Sequence, residues 1–135
     1  MAYWLVKSEP HKYAWSDLVR DGRTIWDGVR NHTAAINLRA MKIGDRAFFY
    51  HSNEGKEIVG IVEIVREHYL DPKDAAQRFP AVDVVPVEPL QKPVSLATIK
   101  ADPALAAMEL LRQSRLSVAP VRETEWAYIV ALASR

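Results

Sequence analysis

Apolar and polar positions alternate with two different spacings along the chain, and the changes of spacing divide it into strands and helices. Strands are predicted at Tyr3–Ser8, Arg46–Ser52, Glu57–Glu67, Ala81–Val87 and Arg115–Val121. The third is almost wholly apolar, as in a strand that is covered on both faces or lines a barrel. Within it, Gly60 indicates a bulge or a close approach to the backbone, and Pro86 indicates an edge or a bulge in the next strand.

Short helices are predicted between these strands. Ser16 is expected to cap the first helix, which ends at Gly22. Asn31 is expected to cap the second, which runs to about Met41, and a closing helix is expected from about Glu125. This order fits an α+β, mainly β fold, a small β-barrel of about five to six strands, better than a doubly wound sheet.

The composition of the chain limits the number of domains and the class of protein. The chain has 135 residues, which predicts one domain over residues 1–135, and 49% of them are apolar, which argues against disorder. No apolar run approaches the ~20 residues of a membrane span, and the first residues lack the layout of a signal peptide. The absence of cysteine excludes disulfides and thiolate nucleophiles, and we expect a cytoplasmic protein.

The charge limits the class of nucleic-acid partner. A net charge of +1 is too balanced for a protein that holds duplex nucleic acid mainly by its phosphates. Basic residues nevertheless outnumber acids by six to three between Arg20 and Arg46. This segment is interpreted either as a solvated face or as a local patch that guides a polyanion.

The usual catalytic motifs are missing, and the four histidines lack the spacing of metal ligands, so no cofactor or metal is predicted. Instead, polar residues gather at predicted strand ends and in the turn of the stretch TIWDGVRN, residues 24–31: Lys7, Ser8, Glu9, Asp27, Asn31, Ser52 and Asn53. Taken singly, Lys7 and Glu9 could be an ion pair and Trp26 a core residue. Together, polar groups beside an aromatic predict a pocket.

The motifs WLVKSEP, WDGVRN, MKIGD, FFYHSN, GIVEIV and LLRQSRLSVAPV, in this order, resemble the EVE domain family of the PUA-like superfamily, from Tyr3 to about Trp126. The resemblance implies a PUA-like, partly open barrel. The related YTH domains bind N6-methyladenosine in an aromatic cage, which implies a binding module for a modified base in DNA or RNA. Nucleic acid carrying modified bases, or a free modified nucleoside or nucleotide, is then the expected partner, with no membrane partner.

The same resemblance assigns roles to residues. Trp26 corresponds to the first cage aromatic, with Asp27 beside it, and Phe79 stands where many relatives have a second cage tryptophan. Ser8 and Glu9 lie in the segment that lines the pocket.

Elementary chemistry extends these roles. Trp26 could offer its ring face from a turn, while Asp27, Asn31, Glu9, Ser52 and Asn53 supply donors and acceptors for the base edge. Lys7, Arg30 and Arg115 are the candidates for binding the phosphate backbone. Because stacking and base flipping nearly cancel, we expect weak binding to an intact duplex.

Two other functions remain open at this point. The related ASCH domains include amide hydrolases of acetylated cytidine, so a small nucleoside hydrolase is the alternative, with Lys7 and Glu9 as base and stabilising charge and Ser8 or Ser52 as hydroxyl. The second is a protein-interaction domain without a ligand pocket.

Overall fold

A computed structural model describes residues 1–135, and its six strands form one mixed sheet. The strands are β1 Tyr3–Ser8, β2 Thr24–Trp26, β3 Arg46–His51, β4 Glu57–Leu70, β5 Pro80–Ser95 and β6 Val118–Val121. They lie in the order β2, β5, β4, β3, β1, β6. Only the β1–β3 pair is parallel, and the two outermost strands do not pair with each other. The mainly β, α+β prediction is confirmed, and the sheet is not closed.

The helices are α1 Trp15–Asp21, α2 His32–Ala40, α3 Leu96–Ala101, α4 Glu109–Arg112 and α5 Glu123–Ala133, with a 3₁₀ turn at Pro103–Leu105. None of them is long and apolar enough to span a membrane.

Side chains from the two faces of the sheet form two separate cores. Successive residues of a strand point to opposite faces, so Trp4 and Val6 pack with α1 and α2 while Leu5 packs with α3, α4 and α5. In the second core, the Trp126 ring of α5 stacks on Phe48, with ring centroids 3.9 Å apart. The cavity described below lies at the margin of the first core.

Two predicted helix caps have different outcomes. Asn31 caps α2 as predicted, because its Oδ1 accepts a hydrogen bond of 3.0 Å from the Ala34 amide. The prediction of Ser16 as the cap of α1 is wrong, since the cap is Ala14 and α1 starts at Trp15, two residues earlier than predicted. Its start is held by Asp17, whose carboxylate accepts from the Ala14 amide at 2.7 Å. A carboxylate three residues into a helix can thus hold the start where the cap has no polar side chain.

The sequence prediction missed one strand and misjudged the length of three others. The strand β2, which contains Trp26, pairs antiparallel with β5 through Trp26 and Val82. Strands β4 and β5 run longer than predicted because shifts of register, one next to Pro86, let pairing continue past irregular positions. The last strand, β6, begins at Val118 rather than Arg115.

Candidate functional site

The segment from Trp26 to Asn31 is held in place by one buried carboxylate, which comes from the loop after β4. Asp71, which is only 2% exposed, accepts hydrogen bonds from the Gly28 amide at 2.8 Å, from the Arg30 guanidinium at 2.9 Å and from the Lys73 amide at 2.7 Å. Burial alone would raise the pKa of Asp71, but these donors outweigh it and hold the pKa below its ordinary value. Asp71 therefore stays ionised and ties residues 28–30 to the loop after β4.

A cavity of about 620 Å³ lies beside this segment. Its walls come from the end of β1 and the turn after it, from residues 24–31, and from two single residues further along the chain. The lining residues are Lys7, Ser8, Lys12, Tyr13, Thr24, Ile25, Trp26, Asp27, Gly28, Val29, Arg30, Asn31, Lys73 and Ser117. This volume is within the usual range of small-molecule sites.

Trp26 is a wall of this cavity and not a freely exposed platform. It ends β2, is only 7% exposed, and packs edge-on against Phe49 with ring centroids 5.5 Å apart. The expectation that Trp26 offers its ring face from a turn is therefore wrong, because strand pairing draws the ring into the core. Trp26 nevertheless belongs to the residues that line the cavity.

Six of the predicted site residues line the cavity: Lys7, Ser8, Trp26, Asp27, Arg30 and Asn31. The Lys7 ammonium donates to the Ser114 carbonyl at 2.8 Å, and burial lowers the pKa of Lys7. The Ser8 hydroxyl donates to the Tyr13 carbonyl at 2.6 Å, which fixes the turn after β1.

The polar side chains at the cavity differ in how much of their hydrogen-bonding capacity is already used within the protein. The Asp27 carboxylate lies 3.3 Å from the Lys73 ammonium, in a pair whose lysine is largely exposed. Asn31 uses its side-chain oxygen to cap α2, and its amide group has no protein partner. The Arg30 guanidinium is committed to Asp71, and that hydrogen bond raises the pKa of Arg30.

The other five predicted site residues lie outside the cavity. Phe79 is 8% exposed and packs against His32 and the Arg30 guanidinium, with 5.4 Å between its ring centroid and the partner in each case. It does not face Trp26 across the cavity and supports Arg30 from outside. Glu9 lies 3.1 Å from the Lys12 ammonium and 3.7 Å from His11, so it does not pair with Lys7.

Ser52 and Asn53 follow the end of β3 without reaching the cavity. The Ser52 amide donates to the Ser8 carbonyl at 3.0 Å and so continues the pairing of β3 with β1. Asn53 adopts a left-handed conformation, with φ of 69°, in the exposed loop before β4. Arg115 lines a separate recess, which Asn31 shares.

Sequence reasoning missed several lining residues, among them Lys12, Tyr13, Thr24 and Lys73, and it missed Asp71 behind them. Tyr13 could have been noticed as an aromatic in the turn directly after the polar end of β1. Its hydroxyl donates to Asp21 at 2.9 Å, which joins this turn to the end of α1. Nothing local marks Lys73 or Asp71 as part of the site, because the bonds that join them to residues 27–30 span more than 40 residues of the chain.

Comparison with known proteins gives a consistent result. Thymocyte nuclear protein 1 of Rattus norvegicus is 35% identical over 164 residues, covering 96% of this chain and 73% of the rat protein. A Rhodopseudomonas palustris protein solved by NMR is 53% identical with a TM-score of 0.94, covering 99% of this chain and 94% of that one.

Human THYN1, in a crystal structure with DNA containing 5-methylcytosine, is 32% identical with a TM-score of 0.93, covering 100% of this chain and 99% of that one. The family model of the EVE domain matches residues 2–132. The resemblance seen in the motifs is thereby confirmed, and the chain belongs to the EVE domain family.

Proposed function

We propose that this protein binds a modified nucleobase of a nucleic-acid strand in the cavity beside Trp26, without catalysing a reaction. The observation that carries the proposal is the cavity itself, with one indole wall and polar side chains of opposite character around it. Because the human relative was crystallised with DNA containing 5-methylcytosine, that base is the first to test.

The polar groups suit the edge of a cytosine. Its exocyclic amine donates a hydrogen bond, which the Asp27 carboxylate can accept, and its ring nitrogen and carbonyl accept hydrogen bonds, which the free amide of Asn31 can donate. The base must displace Lys73 from Asp27, a small cost because an exposed ion pair contributes only about 0–1 kcal/mol. The ring face would lie against the accessible part of Trp26.

The energies predict which form of nucleic acid binds. Stacking on an aromatic contributes roughly 1–3 kcal/mol per base, and extracting a base from a duplex costs a few kcal/mol. Since Trp26 offers only part of its ring, stacking belongs at the low end of that range. A single strand should therefore bind better than an intact duplex. Burial of the methyl group adds ~0.8 kcal/mol, about fourfold in affinity.

A binding role is also supported by the arrangement of the residues on which hydrolysis would depend. The alternative needs Lys7 and Glu9 beside one substrate, with a serine hydroxyl as nucleophile. Glu9 does not line the cavity and pairs with Lys12, and the Ser8 hydroxyl donates to the Tyr13 carbonyl. Incubation with N4-acetylcytidine and detection of product by mass tests this alternative directly, and turnover that is lost in Lys7→Ala would favour it.

The proposal is tested by titrating a short single-stranded DNA with one central 5-methylcytosine, the same strand unmethylated, and the methylated duplex. Wild type should prefer the methylated single strand, and Asp27→Asn should weaken its binding about tenfold because a charged acceptor is lost. Glu88→Gln removes one exposed carboxylate of β5 and is the matched control.

Equal affinity of wild type for the methylated and unmethylated strands would overturn the proposal. So would equal effects of the Asp27 and Glu88 substitutions. Trp26→Phe keeps an aromatic in the wall and should weaken binding less than Trp26→Ala. Because Trp26 is a core residue, the thermal unfolding of both variants must be measured alongside.

A further inference from the structure

The ammonium group of Lys7 is the one cation at the cavity that has no carboxylate partner. The other three cationic side chains there are each paired: Lys12 with Glu9 at 3.1 Å, Arg30 with Asp71 at 2.9 Å and Lys73 with Asp27 at 3.3 Å. Lys7 is half-buried, contacts the Ser114 carbonyl at 2.8 Å and lies 5.9 Å from the centre of the Tyr50 ring. A half-buried charge without a partner is costly, and an anion bound beside it would remove that cost.

A second recess adjoins the cavity on the side to which Lys7 points. Its volume is about 350 Å³, and its lining residues are Asn31, Thr33, Gln113, Ser114, Arg115 and Leu116. Asn31 belongs to both spaces, and the Ser114 carbonyl that holds Lys7 belongs to a residue of the recess. A ligand can therefore extend from one space into the other around Asn31.

The chemistry of the recess differs from that of the cavity. No carboxylate lines it, whereas Asp27 lines the cavity. Arg115 forms no salt bridge, and the hydroxyls of Thr33 and Ser114 bond to no group of the protein. A guanidinium with two free hydroxyls and no acid is a donor set suited to phosphate oxygens.

We propose that this recess, which we call the 113–116 recess, binds the phosphodiester backbone of the strand whose base enters the cavity. Arg115, Thr33 and Ser114 bind one phosphate, and Lys7 neutralises the phosphate between the recess and the cavity. The inference rests on the proposed function for the identity of the strand. It adds the path that the backbone of the bound strand follows away from the base site.

The positions of Lys7 and Arg115 also explain how a chain with a net charge of +1 could bind a polyanion. Two cations without carboxylate partners on one short path provide local attraction that the overall charge does not reveal. Each neutralised phosphate of a single strand lowers the slope of log affinity against log salt by about 0.7. Strand binding should therefore depend on salt far more than nucleoside binding does.

The test compares wild type, Arg115→Ala and Arg112→Ala. Arg112 precedes Arg115 by three residues, pairs with Glu109 at 3.8 Å and lines neither space, so it controls for the general loss of a positive charge. The three probes are 5-methyl-2′-deoxycytidine, a DNA trinucleotide centred on that nucleoside, and a strand of the same length with a central abasic site. Each is titrated at two salt concentrations.

We expect Arg115→Ala to leave nucleoside affinity within about twofold and to weaken trinucleotide binding at least about tenfold, since a charge-assisted hydrogen bond is lost. The slope of log affinity against log salt should become less negative by about 0.7, and binding of the abasic strand should also weaken in Arg115→Ala. Equal effects of the two arginine substitutions would overturn the inference, as would a trinucleotide that binds no more tightly than the nucleoside.

The two proposals fail separately in this design. If wild type does not bind the nucleoside while the abasic strand still loses affinity in Arg115→Ala, the base site fails and the 113–116 recess stands. If the nucleoside binds but neither strand responds to Arg115, the base site stands and the recess fails.

Discussion

The indole ring of Trp15 lies directly on the backbone of Gly60. A Cβ atom at residue 60 would be 2.5 Å from Cζ3 of that ring and within 2.7 Å of two further ring atoms. Trp15 in turn meets Phe49 edge-on at 5.6 Å, and Phe49 meets Trp26 edge-on at 5.5 Å. The glycine in the middle of β4 therefore sets the position of an aromatic series that ends at the cavity wall.

Gly60→Ala is expected to destabilise the fold. The added methyl group would overlap a rigid ring that also packs edge-on against Phe49, so either the ring or β4 must move. Overpacking of this kind typically costs about 1–3 kcal/mol. Urea denaturation of the variant measures the change in the free energy of unfolding.

A double-mutant cycle separates this overlap from a general effect of alanine in the strand. Trp15→Leu removes the ring that the methyl group would meet. If the clash is the cause, Gly60→Ala should cost clearly less in the Trp15→Leu background than in wild type. An equal cost in both backgrounds would contradict the explanation.

His51, which contacts Trp15, makes the stability of the fold depend on pH. Its Nε2 accepts a hydrogen bond of 3.1 Å from the Trp15 amide, so this nitrogen carries no proton in the structure. Burial lowers the pKa of His51, and the nearby Glu57 carboxylate opposes that shift only in part. Protonation would place two donors against each other at the start of α1.

The sign of the pH effect follows from this lowered pKa. Below the ordinary histidine pKa of 6.5 the unfolded chain binds a proton that the folded chain resists. The contribution of His51 to stability is therefore complete above pH 6.5 and is lost as the pH falls through the folded-state pKa. Between the two pKa values the slope is at most about 1.4 kcal/mol per pH unit.

Urea denaturation at about pH 7.5 and about pH 5.5 measures this contribution. His51→Gln can still accept from the Trp15 amide through its side-chain oxygen but does not titrate, so the difference between the two pH values should shrink. His68→Gln, at an exposed position that forms no ion pair, is the control for the loss of a histidine. A difference that persists in His51→Gln would assign the pH dependence to other groups.

Much of the fold could be predicted because its signals are local. The apolar, aromatic-rich run at Tyr3–Ser8, the cap at Asn31 and the glycine after α1 at Gly22 each depend on residues close together in sequence, and all are present. Gly60 could be interpreted as a bulge or a close contact, and it is both: the register with β3 shifts there, and Trp15 packs against it. The tryptophan itself could not be identified from the sequence.

The part of the site that could not be predicted depends on distant partners. Residues 24–26 have a weak strand pattern and become a strand only because β5, nearly 60 residues later, pairs with them. That pairing also buries Trp26, which the motif alone would leave in a turn. Phe79 precedes β5 as expected but packs beneath Arg30, so its position in the sequence did not reveal which side of the segment it occupies.

Asp71 is the distant partner whose removal should affect the cavity most. Asp71→Asn keeps one acceptor oxygen for Gly28 or Arg30, but it loses the charge that holds the guanidinium and would turn an amide N–H toward the Lys73 amide. Hydrogen bonds to charged groups contribute about 1.5–3 kcal/mol, so we expect a loss of stability in that range. Because residues 28–30 line the cavity, affinity for the methylated single strand should fall as well.

Asp74→Asn is the matched control for this effect on binding. Asp74 belongs to the same loop, and its carboxylate accepts from the amides of Ala76, Arg78 and Phe79 at 2.8–3.1 Å, but none of these bonds reaches residues 24–31. Both variants should lower the urea concentration at the unfolding midpoint. Under conditions in which both are fully folded, only Asp71→Asn should weaken strand binding. If the two variants lose affinity in proportion to their loss of stability, Asp71 contributes only to the stability of the fold. The cavity then does not depend on the hydrogen bonds of Asp71 to Gly28 and Arg30.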